Sequence, residues 1–146
     1  MSALSAYNHL LEAFLLLDDG DHRLLKTFGL TPTQFAVLQR LDPVESIRPI
    51  DLAGPLLLDK SSITRVIDRL VQEHLVSRAP DPDDRRAQRL VLTDLGVARR
   101  EQARIAFDQS IEQRMRCLTD DEQRTLGGLL AKLRDELLGM FAEGAP

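Results

Sequence analysis

The sequence predicts a mainly α-helical fold with a small β-wing, and three observations carry this prediction. A charged tip at residues 81–86 runs into a short apolar stretch that suits a strand. The preceding segment, residues 59–70, has the apolar spacing of an amphipathic helix. Both ends of the chain carry leucine-rich helical faces. A helix followed by a basic two-stranded tip is the layout of a winged helix-turn-helix, so we expect that unit together with a helical dimerisation region.

Composition narrows the class of protein. A chain of 146 residues can form one domain with helical extensions, and with 4% aromatic residues its core must be mostly aliphatic. No apolar run approaches the roughly 18 residues of a membrane helix, and the N-terminus lacks the pattern of a signal peptide. We therefore expect a cytoplasmic protein that makes no membrane contact. A single cysteine excludes an internal disulfide.

Charge is distributed unevenly along the chain. The formal net charge is −4, yet residues 59–100 hold nine Lys or Arg against seven Asp or Glu. A local positive excess on an acidic protein favours approach to DNA by one face only. Ordinary surface charge would give the same composition, so composition alone leaves both interpretations open.

The N-terminal half predicts three helices. Apolar residues keep a helical rhythm over residues 4–28, where the Asp-Asp-Gly-Asp run at 18–21 predicts a kink or break and Gly29 is a suitable stop. The Thr-Pro-Thr-Gln sequence at 31–34 is a capped start for the second helix. A third, short helix is expected over residues 49–53, which a Gly-Pro pair closes.

The next helix has one face for the core and one for a partner. Asp59 is its expected cap, because a carboxylate there can accept from the first free backbone N–H groups. Its apolar side chains recur at helical spacing and must face the core. They are Ile63, Val66, Ile67, Leu70 and Val71. The opposite face carries Ser61, Ser62, Arg65, Asp68, Arg69 and Gln72, with Thr64 near its edge.

The C-terminal half predicts a wing and two long helices. Residues 75–78 and 89–92 are strand candidates that face each other across the charged tip. A long polar helix runs from Thr93 to about Leu118, and Thr119 begins a last helix with a leucine-rich face. We expect the first and last helices to pack together away from the wing, and to form both core and dimer interface.

Several motifs occur in one order along the chain. They are the 31–34 start with Phe35 and Leu38, Asp51-Leu-Ala53, Ser62-Ile-Thr-Arg65 with Asp68-Arg-Leu70, the tip at 81–86 and Leu92-Thr-Asp-Leu-Gly96. In this order they resemble the MarR family of bacterial transcriptional regulators over nearly the whole chain. The tip is the most specific part of the resemblance.

The resemblance implies a homodimer with a winged helix-turn-helix at residues 30–93 and a discontinuous dimerisation region at residues 1–29 and 94–146. It implies a sequence-specific regulator, usually a repressor, that binds double-stranded DNA at a palindromic operator. Many members of the family release DNA when a small molecule binds or when a cysteine is oxidised. No cofactor is expected.

The DNA-binding residues follow from the matching positions. On the recognition helix the resemblance gives Ser61, Ser62, Thr64 and Arg65. In the wing, Arg86 matches the arginine that enters the minor groove, and Asp84 matches the acid that holds it. The neighbouring cations Lys60, Arg69 and Arg85 complete the expected DNA-binding set.

The chain departs from the family pattern at three places. His74 stands where a glycine usually follows the recognition helix. Arg48 precedes Pro49 where a Ser or Thr cap is usual, and Gly54-Pro55 shortens the helix before the recognition helix. These departures concern local geometry.

Each expected contact has a plainer alternative. Arg85 and Arg86 could form a solvated basic turn paired with nearby aspartates. The hydroxyls of Ser61 and Ser62 could serve only as capping groups. We expect Asp68 to pair with an arginine of its own helix, at position 65 or 69.

Other functional residues give weaker indications. Cys117 is expected to be partly buried and inert, although a redox sensor is the alternative. The three histidines show no metal-ligand spacing, and no catalytic motif is present, so we expect neither a metal site nor an enzyme. A ligand cleft between the first, second and long helices is expected, with packing or surface roles as the alternative for each lining residue. These residues are Tyr7, His9, Phe14, His22 and Arg23.

Two hypotheses of different kinds remain. In the first, the protein is a homodimeric DNA-binding repressor that responds to a small-molecule effector. In the second, it is a winged-helix module that binds protein and not DNA, which the acidic net charge motivates.

Overall fold

A computed structural model describes residues 1–142 and 144 of the chain. Residues 143, 145 and 146, the end of the expected dimerisation region, lie outside the described residues. The elements in chain order are α1 (Ala3–Lys26), α2 (Pro32–Arg40), α3 (Ile50–Ala53), α4 (Lys60–Gln72), β1 (Val76–Pro80), β2 (Gln88–Leu92), α5 (Asp94–Met115) and α6 (Asp120–Ala142). The prediction of a mainly α-helical chain with a two-stranded wing is confirmed.

The chain divides into two compact units, Met1–Phe107 and Asp108–Pro146. The core of the first unit is aliphatic apart from Phe35, whose ring lies 5.2 Å from that of Phe107 between centroids. Side chains from α2, α3, α4 and both strands meet there, together with Leu75 from the turn after α4. The fully buried ones include Val37, Leu38, Leu52, Leu70, Leu75 and Leu90. This core holds α4 against the wing.

Helix α1 is continuous through residues 18–21, so a break in the helix there, one of the two expected alternatives, is wrong. Side-chain contacts one turn apart span the aspartate-rich segment. Arg23 lies 2.9 Å from Asp19, and the His22 ring contacts the Asp18 carbonyl oxygen at 2.8 Å. The helix ends at Lys26, earlier than the predicted residue 28. Gly29 lies in the turn that follows, and its φ of +69° lets the Leu30 N–H donate to the Leu25 carbonyl.

Two arginines of α5 tie the ends of earlier helices to this unit. The Arg99 guanidinium donates to the Phe28 carbonyl at 3.1 Å, and Arg100 donates to the Leu41 carbonyl at 2.7 Å. Carbonyl groups at a helix C-terminus have no partner within the helix, so a cation there is stabilising. These two arginines are therefore structural, which their sequence positions did not reveal.

The two strands pair antiparallel, with Val76 opposite Leu92 and Pro80 opposite Gln88. Strand β1 begins and ends later than the predicted 75–78, because the Leu75 N–H donates to Leu70 and completes the end of α4. Pro80 is tolerated because the sheet has only two strands. Ile47 adds an isolated bridge to Leu90, with bonds of 2.7 and 3.0 Å, which the sequence did not indicate.

The last two helices meet at a tight turn. Helix α5 ends at Met115, earlier than the predicted Leu118. The Gln123 side chain donates to the carbonyl oxygens of Met115 and Leu118. Thr119 caps α6 as predicted, since its hydroxyl accepts from the Glu122 N–H and the Glu122 carboxylate accepts from the Thr119 N–H. The apolar face of α6 is exposed in the single chain. It comprises Leu126, Leu129, Leu130, Leu133, Leu137, Leu138 and Phe141.

Candidate nucleic-acid interface

Helix α4 presents a polar face to solvent because its apolar side chains lie in the core. Ile63, Ile67 and Leu70 are buried, while Val66 and Val71 are half-buried against the same core. The outer face combines hydroxyls and cations, as the sequence predicted. Its exposed members are Lys60, Ser61, Thr64, Arg65, Arg69 and Gln72.

Asp59 organises the start of this helix. Its Oδ1 accepts from the Ser62 N–H at 2.7 Å and from the Ser61 hydroxyl at 2.7 Å, and its Oδ2 accepts from the Ser62 hydroxyl at 3.0 Å. These hydrogen bonds, led by that of the Ser61 hydroxyl, lower the pKa of Asp59 from 3.8 to about 2. The cap predicted at Asp59 is confirmed, and both serine hydroxyls take part in it.

The remaining polar groups of the outer face differ in whether they already form hydrogen bonds or ion pairs within the protein. The Thr64 hydroxyl donates to the Lys60 carbonyl at 2.8 Å. The Lys60 ammonium and the Arg65 guanidinium form no ion pair or side-chain hydrogen bond with another described residue. Among the cations of this face, Lys60 and Arg65 therefore keep their side-chain donors free for a partner.

The acids of α4 pair differently from the expectation. Asp68 forms an ion pair with Arg78 of β1, not with an arginine of its own helix. Arg69 forms an ion pair with Glu73, one turn further along the helix, at 2.8 Å. Glu73 lies four residues after Arg69 and therefore on the same side of the helix, whereas Asp68 lies beside strand β1 and pairs with Arg78. The charges of Arg69 and Arg78 are thus partly neutralised before any partner binds.

Carboxylates shape the wing through its backbone. Asp84 accepts from the Arg86 N–H at 2.9 Å, and Asp81, which is buried, accepts from the Asp83 N–H at 2.9 Å. Asp84 thus bonds the backbone of Arg86, and not the guanidinium that the family resemblance assigned to it. The side chains of Arg85 and Arg86 are exposed and form no ion pair with any carboxylate among residues 1–142 and 144.

Arg89 has a structural role in the wing. Its guanidinium donates to the hydroxyl and the carbonyl oxygen of Ser46, each at 2.9 Å, and lies 3.8 Å from Asp81. These contacts fix the wing to the segment that precedes α3. Arg89 and Arg86 are three residues apart yet differ in role, and nothing in the sequence indicated the structural role of Arg89.

The turn between α4 and the wing contains a strained residue. His74 has a φ of +60°, the left-handed conformation for which glycine is usual at this place. Its carbonyl accepts from the Thr93 hydroxyl at 2.6 Å, and Thr93 also accepts from the Gly96 N–H at 2.9 Å. A Cβ on Gly96 would lie 2.0 Å from the Leu75 carbonyl oxygen, so only glycine allows α5 to approach this turn so closely.

The other two departures from the family pattern also take defined conformations. Arg48 pairs with Asp51 at 3.3 Å, and Pro49 makes no side-chain capping bond. After Gly54, the Leu57 backbone adopts a φ of +54° and the Leu58 N–H donates to the Ala53 carbonyl. In the turn after the short helix, a leucine and not a glycine therefore takes the left-handed conformation.

A cavity of 580 Å³ lies between α3, α4 and the wing. Its floor is apolar, and cations stand around it. The cations are Arg48, Lys60, Arg78 and Arg86. It brings the start of the recognition helix and the wing arginine to one surface.

The expected ligand-cleft residues are not all brought together. His22 and Arg23 line a second cavity of 580 Å³, formed by α1, α2 and the end of α4 and not by the long helix. Tyr7 and Phe14 are exposed on α1 away from that lining, and His9 lies 3.6 Å from Glu12. The structure therefore supports a shared lining for only two of the five.

The remaining sequence-based expectations concern metals, cysteine chemistry and membranes. Among the described residues, no group of three or more potential ligands could hold a metal ion. Cys117 is exposed, so its expected partial burial is wrong, because the residue lies in the turn after α5. Within the same described residues, no helix has both the length and the apolar character needed to cross a membrane.

Comparison with known proteins identifies similar regulators. A family model described as the MarR family matches residues 30–87. The multiple antibiotic resistance protein MarR of Escherichia coli is 36% identical over 110 residues, which cover 75% of this chain and 76% of that protein. A solved structure of a mutant E. coli MarR complexed with operator DNA has 31% identity and a TM-score of 0.74, covering 91% of this chain and 99% of that one. The PcaV transcriptional regulator of Streptomyces coelicolor, solved with its natural ligand, has 25% identity and a TM-score of 0.76, covering 92% and 98% of the two chains.

Proposed function

The chain belongs to the MarR family, and on that premise we propose that it is a sequence-specific DNA-binding transcriptional regulator that acts as a homodimer on a palindromic operator. The observation that carries this proposal is a set of exposed cations on α4 and the wing that form no ion pair with another described residue, of which Lys60 and Arg86 line the same cavity. Lys60 and Arg65 stand on α4, and Arg85 and Arg86 stand on the wing. Cations without internal partners are available to phosphates and base edges.

The proposed division of labour follows the spacing of the elements. Residues 30–93 would read DNA, with α4 in the major groove and the wing arginines in the adjacent minor groove. Arg65 could bridge two acceptors of a guanine, and Arg86 suits the negative potential of a narrow minor groove. Arg69 is the weaker member of the set, because Glu73 already pairs with it.

Dimerisation is supported by exposed apolar faces. Helix α1 exposes Leu4, Phe14, Leu15 and Leu16 in the single chain, and the leucine face of α6 is exposed as well. Exposed apolar helix faces of this kind usually mark an interface. We propose that residues 1–29 and 94–146 bury these faces between two subunits, which gives the two-fold symmetry that a palindromic operator requires.

We further propose that a small-molecule effector releases the DNA, so that the protein acts as a ligand-responsive repressor. Support comes from the ligand-bound PcaV relative and from the cavity that His22 and Arg23 line beside the end of α4. A ligand there would touch the helix that reads DNA. Two further relatives are named as transcriptional regulators, and we propose that this chain likewise has no catalytic activity and acts in the cytoplasm.

A mobility-shift titration against the DNA upstream of the gene tests the proposal. We expect a single retarded complex at low salt that contains two protein chains. If the folded, dimeric protein binds no duplex at low salt, the alternative of a winged-helix module that binds protein replaces this proposal.

A further inference from the structure

The hydroxyl groups at the start of α4 already use their protons within the protein. Ser61 and Ser62 each donate their one proton to Asp59, at 2.7 and 3.0 Å, and Thr64 donates its proton to the Lys60 carbonyl at 2.8 Å. A hydroxyl has one proton and two lone pairs, so each of these oxygens has only acceptor capacity left for a partner.

We propose that Asp59 sets the base preference of this face by holding Ser61 and Ser62 as acceptors, so that the two serines read exposed amino groups of adenine or cytosine. The inference rests on the proposed function, because it assumes that α4 enters the major groove. There the adenine N6 and cytosine N4 amino groups are the donors, whereas guanine offers acceptors and thymine an acceptor and a methyl group.

The same polarity argues against a phosphate partner for these serines. An ionised phosphate oxygen accepts hydrogen bonds and cannot donate one, so it would face a serine oxygen whose proton is already engaged. Lys60 and Arg65 form no side-chain hydrogen bond within the described residues, so their N–H groups suit phosphate or guanine. The face thus separates into donors that bind acceptors and hydroxyls that bind amino groups.

Asp59 enforces this polarity because a carboxylate cannot donate. Its Oδ1 accepts hydrogen bonds from the Ser62 N–H and the Ser61 hydroxyl, and its Oδ2 accepts from the Ser62 hydroxyl. The low pKa of Asp59, about 2, keeps the carboxylate ionised at every pH at which the protein would meet DNA. Neither serine can therefore turn its proton outward without losing a charge-assisted hydrogen bond.

Asp59→Asn separates the roles of the two serines. If the amide oxygen keeps the place of Oδ1, its NH₂ group takes the place of Oδ2 and donates to the Ser62 oxygen. The Ser62 proton then turns outward, and Ser62 becomes a donor, whereas Ser61 still donates to the amide oxygen. Asn and Asp are comparable helix caps, so the fold should be retained.

The test uses the full-length dimer and a duplex selected from a randomised pool. We expect adenine or cytosine opposite Ser61 and Ser62, and we expect replacement of that base by an analogue without the amino group to weaken wild-type binding about 5-fold to 100-fold. The Ser62→Ala variant should lose this sensitivity at its own base. Asp59→Asn should change the selected base at the Ser62 position to guanine or thymine and leave the Ser61 position unchanged.

Asp51→Asn is the matched control, because it removes one negative charge from α3 without touching the serines. It should leave every base preference as it is. Selection of guanine or thymine opposite both serines in the wild type, or no effect of removing the amino group, would overturn the inference while leaving DNA binding intact. Absence of binding to any duplex would instead overturn the proposed function, and the inference with it.

Discussion

The carboxylate of Asp68 on α4 forms an ion pair with the guanidinium of Arg78 on β1. The pair links the recognition helix directly to the wing, across the turn that contains His74. It also withdraws Arg78 from the cations available to DNA, although Arg78 lines the cavity beside Lys60 and Arg86. Both side chains are partly exposed, so the pair is expected to contribute no more than about 1 kcal/mol to stability.

Removal of this pair should affect DNA binding more than folding. Asp68→Ala is expected to lower the free energy of unfolding by less than about 1 kcal/mol and to strengthen non-specific DNA binding, because the Arg78 charge is released. A double-mutant cycle with Arg78→Ala, read by urea denaturation, measures the coupling. Binding titrations at several salt concentrations should show a steeper salt dependence for Asp68→Ala, and an unchanged slope would contradict this role.

Arg86 and Arg89 form a matched pair for the wing. Arg86→Ala is expected to cost about 1 to 3 kcal/mol of DNA-binding free energy per subunit with little change in thermal stability, because its guanidinium has no partner among the described residues. Arg89→Ala should instead lower the melting temperature, since it removes the bonds to Ser46. Thermal unfolding and mobility shift of both variants distinguish the roles. A large stability loss in Arg86→Ala with unchanged DNA affinity would show that Arg86 is structural.

His74→Gly should stabilise the protein. A non-glycine residue in the left-handed region costs roughly 1 kcal/mol, and His74 has a φ of +60° there. Glycine gains freedom in the unfolded chain, so we expect a net increase of about 0.5 kcal/mol in the free energy of unfolding. The reverse control is Gly29→Ala, at a φ of +69°, which should destabilise. Chemical denaturation that ranks the two variants the other way would contradict this account of the turn.

The Asp59 cap predicts a specific dependence of stability on pH. The folded-state pKa of about 2 lies below the ordinary 3.8, so the cap stabilises the fold above about pH 4 and loses this contribution as pH falls toward 2. Asp59→Asn does not titrate, and the other lowered carboxyl groups, those of Asp42, Glu101 and Glu122, are common to both proteins. The stability difference between wild type and Asp59→Asn should therefore shrink from pH 4 to pH 2. A difference that stays constant over this range would contradict the cap.

Local patterns in the sequence determined most of the fold. Caps such as Asp59 and Thr31 are read from adjacent residues, and the apolar spacing of α4 fixes which face is buried. The shift of β1 could not be predicted in this way, because it depends on Leu75 completing the end of α4. Likewise, the predicted break in α1 did not take into account side-chain contacts one turn apart, such as the ion pair of Arg23 with Asp19.

The site was harder to predict because its pairings are tertiary. The partner of Asp68 lies ten residues away on a strand, and the bonds from Arg89 to Ser46 span 43 residues. The sequence therefore selected the exposed Arg86 but gave no indication that Arg89 supports the fold. The hydroxyls of Ser61 and Ser62 were correctly placed, but their polarity depends on where Asp59 points.

Hydroxyl-radical footprinting of the selected duplex tests the central claim most directly, namely that α4 and the exposed wing arginines of two subunits bind DNA together. We predict protection that is symmetric about a two-fold axis, with half-sites roughly one helical turn apart. Arg86→Ala should remove the minor-groove protection at both outer edges and leave the central protection in place. Protection that lacks two-fold symmetry, or that is identical for wild type and Arg86→Ala, would contradict the account.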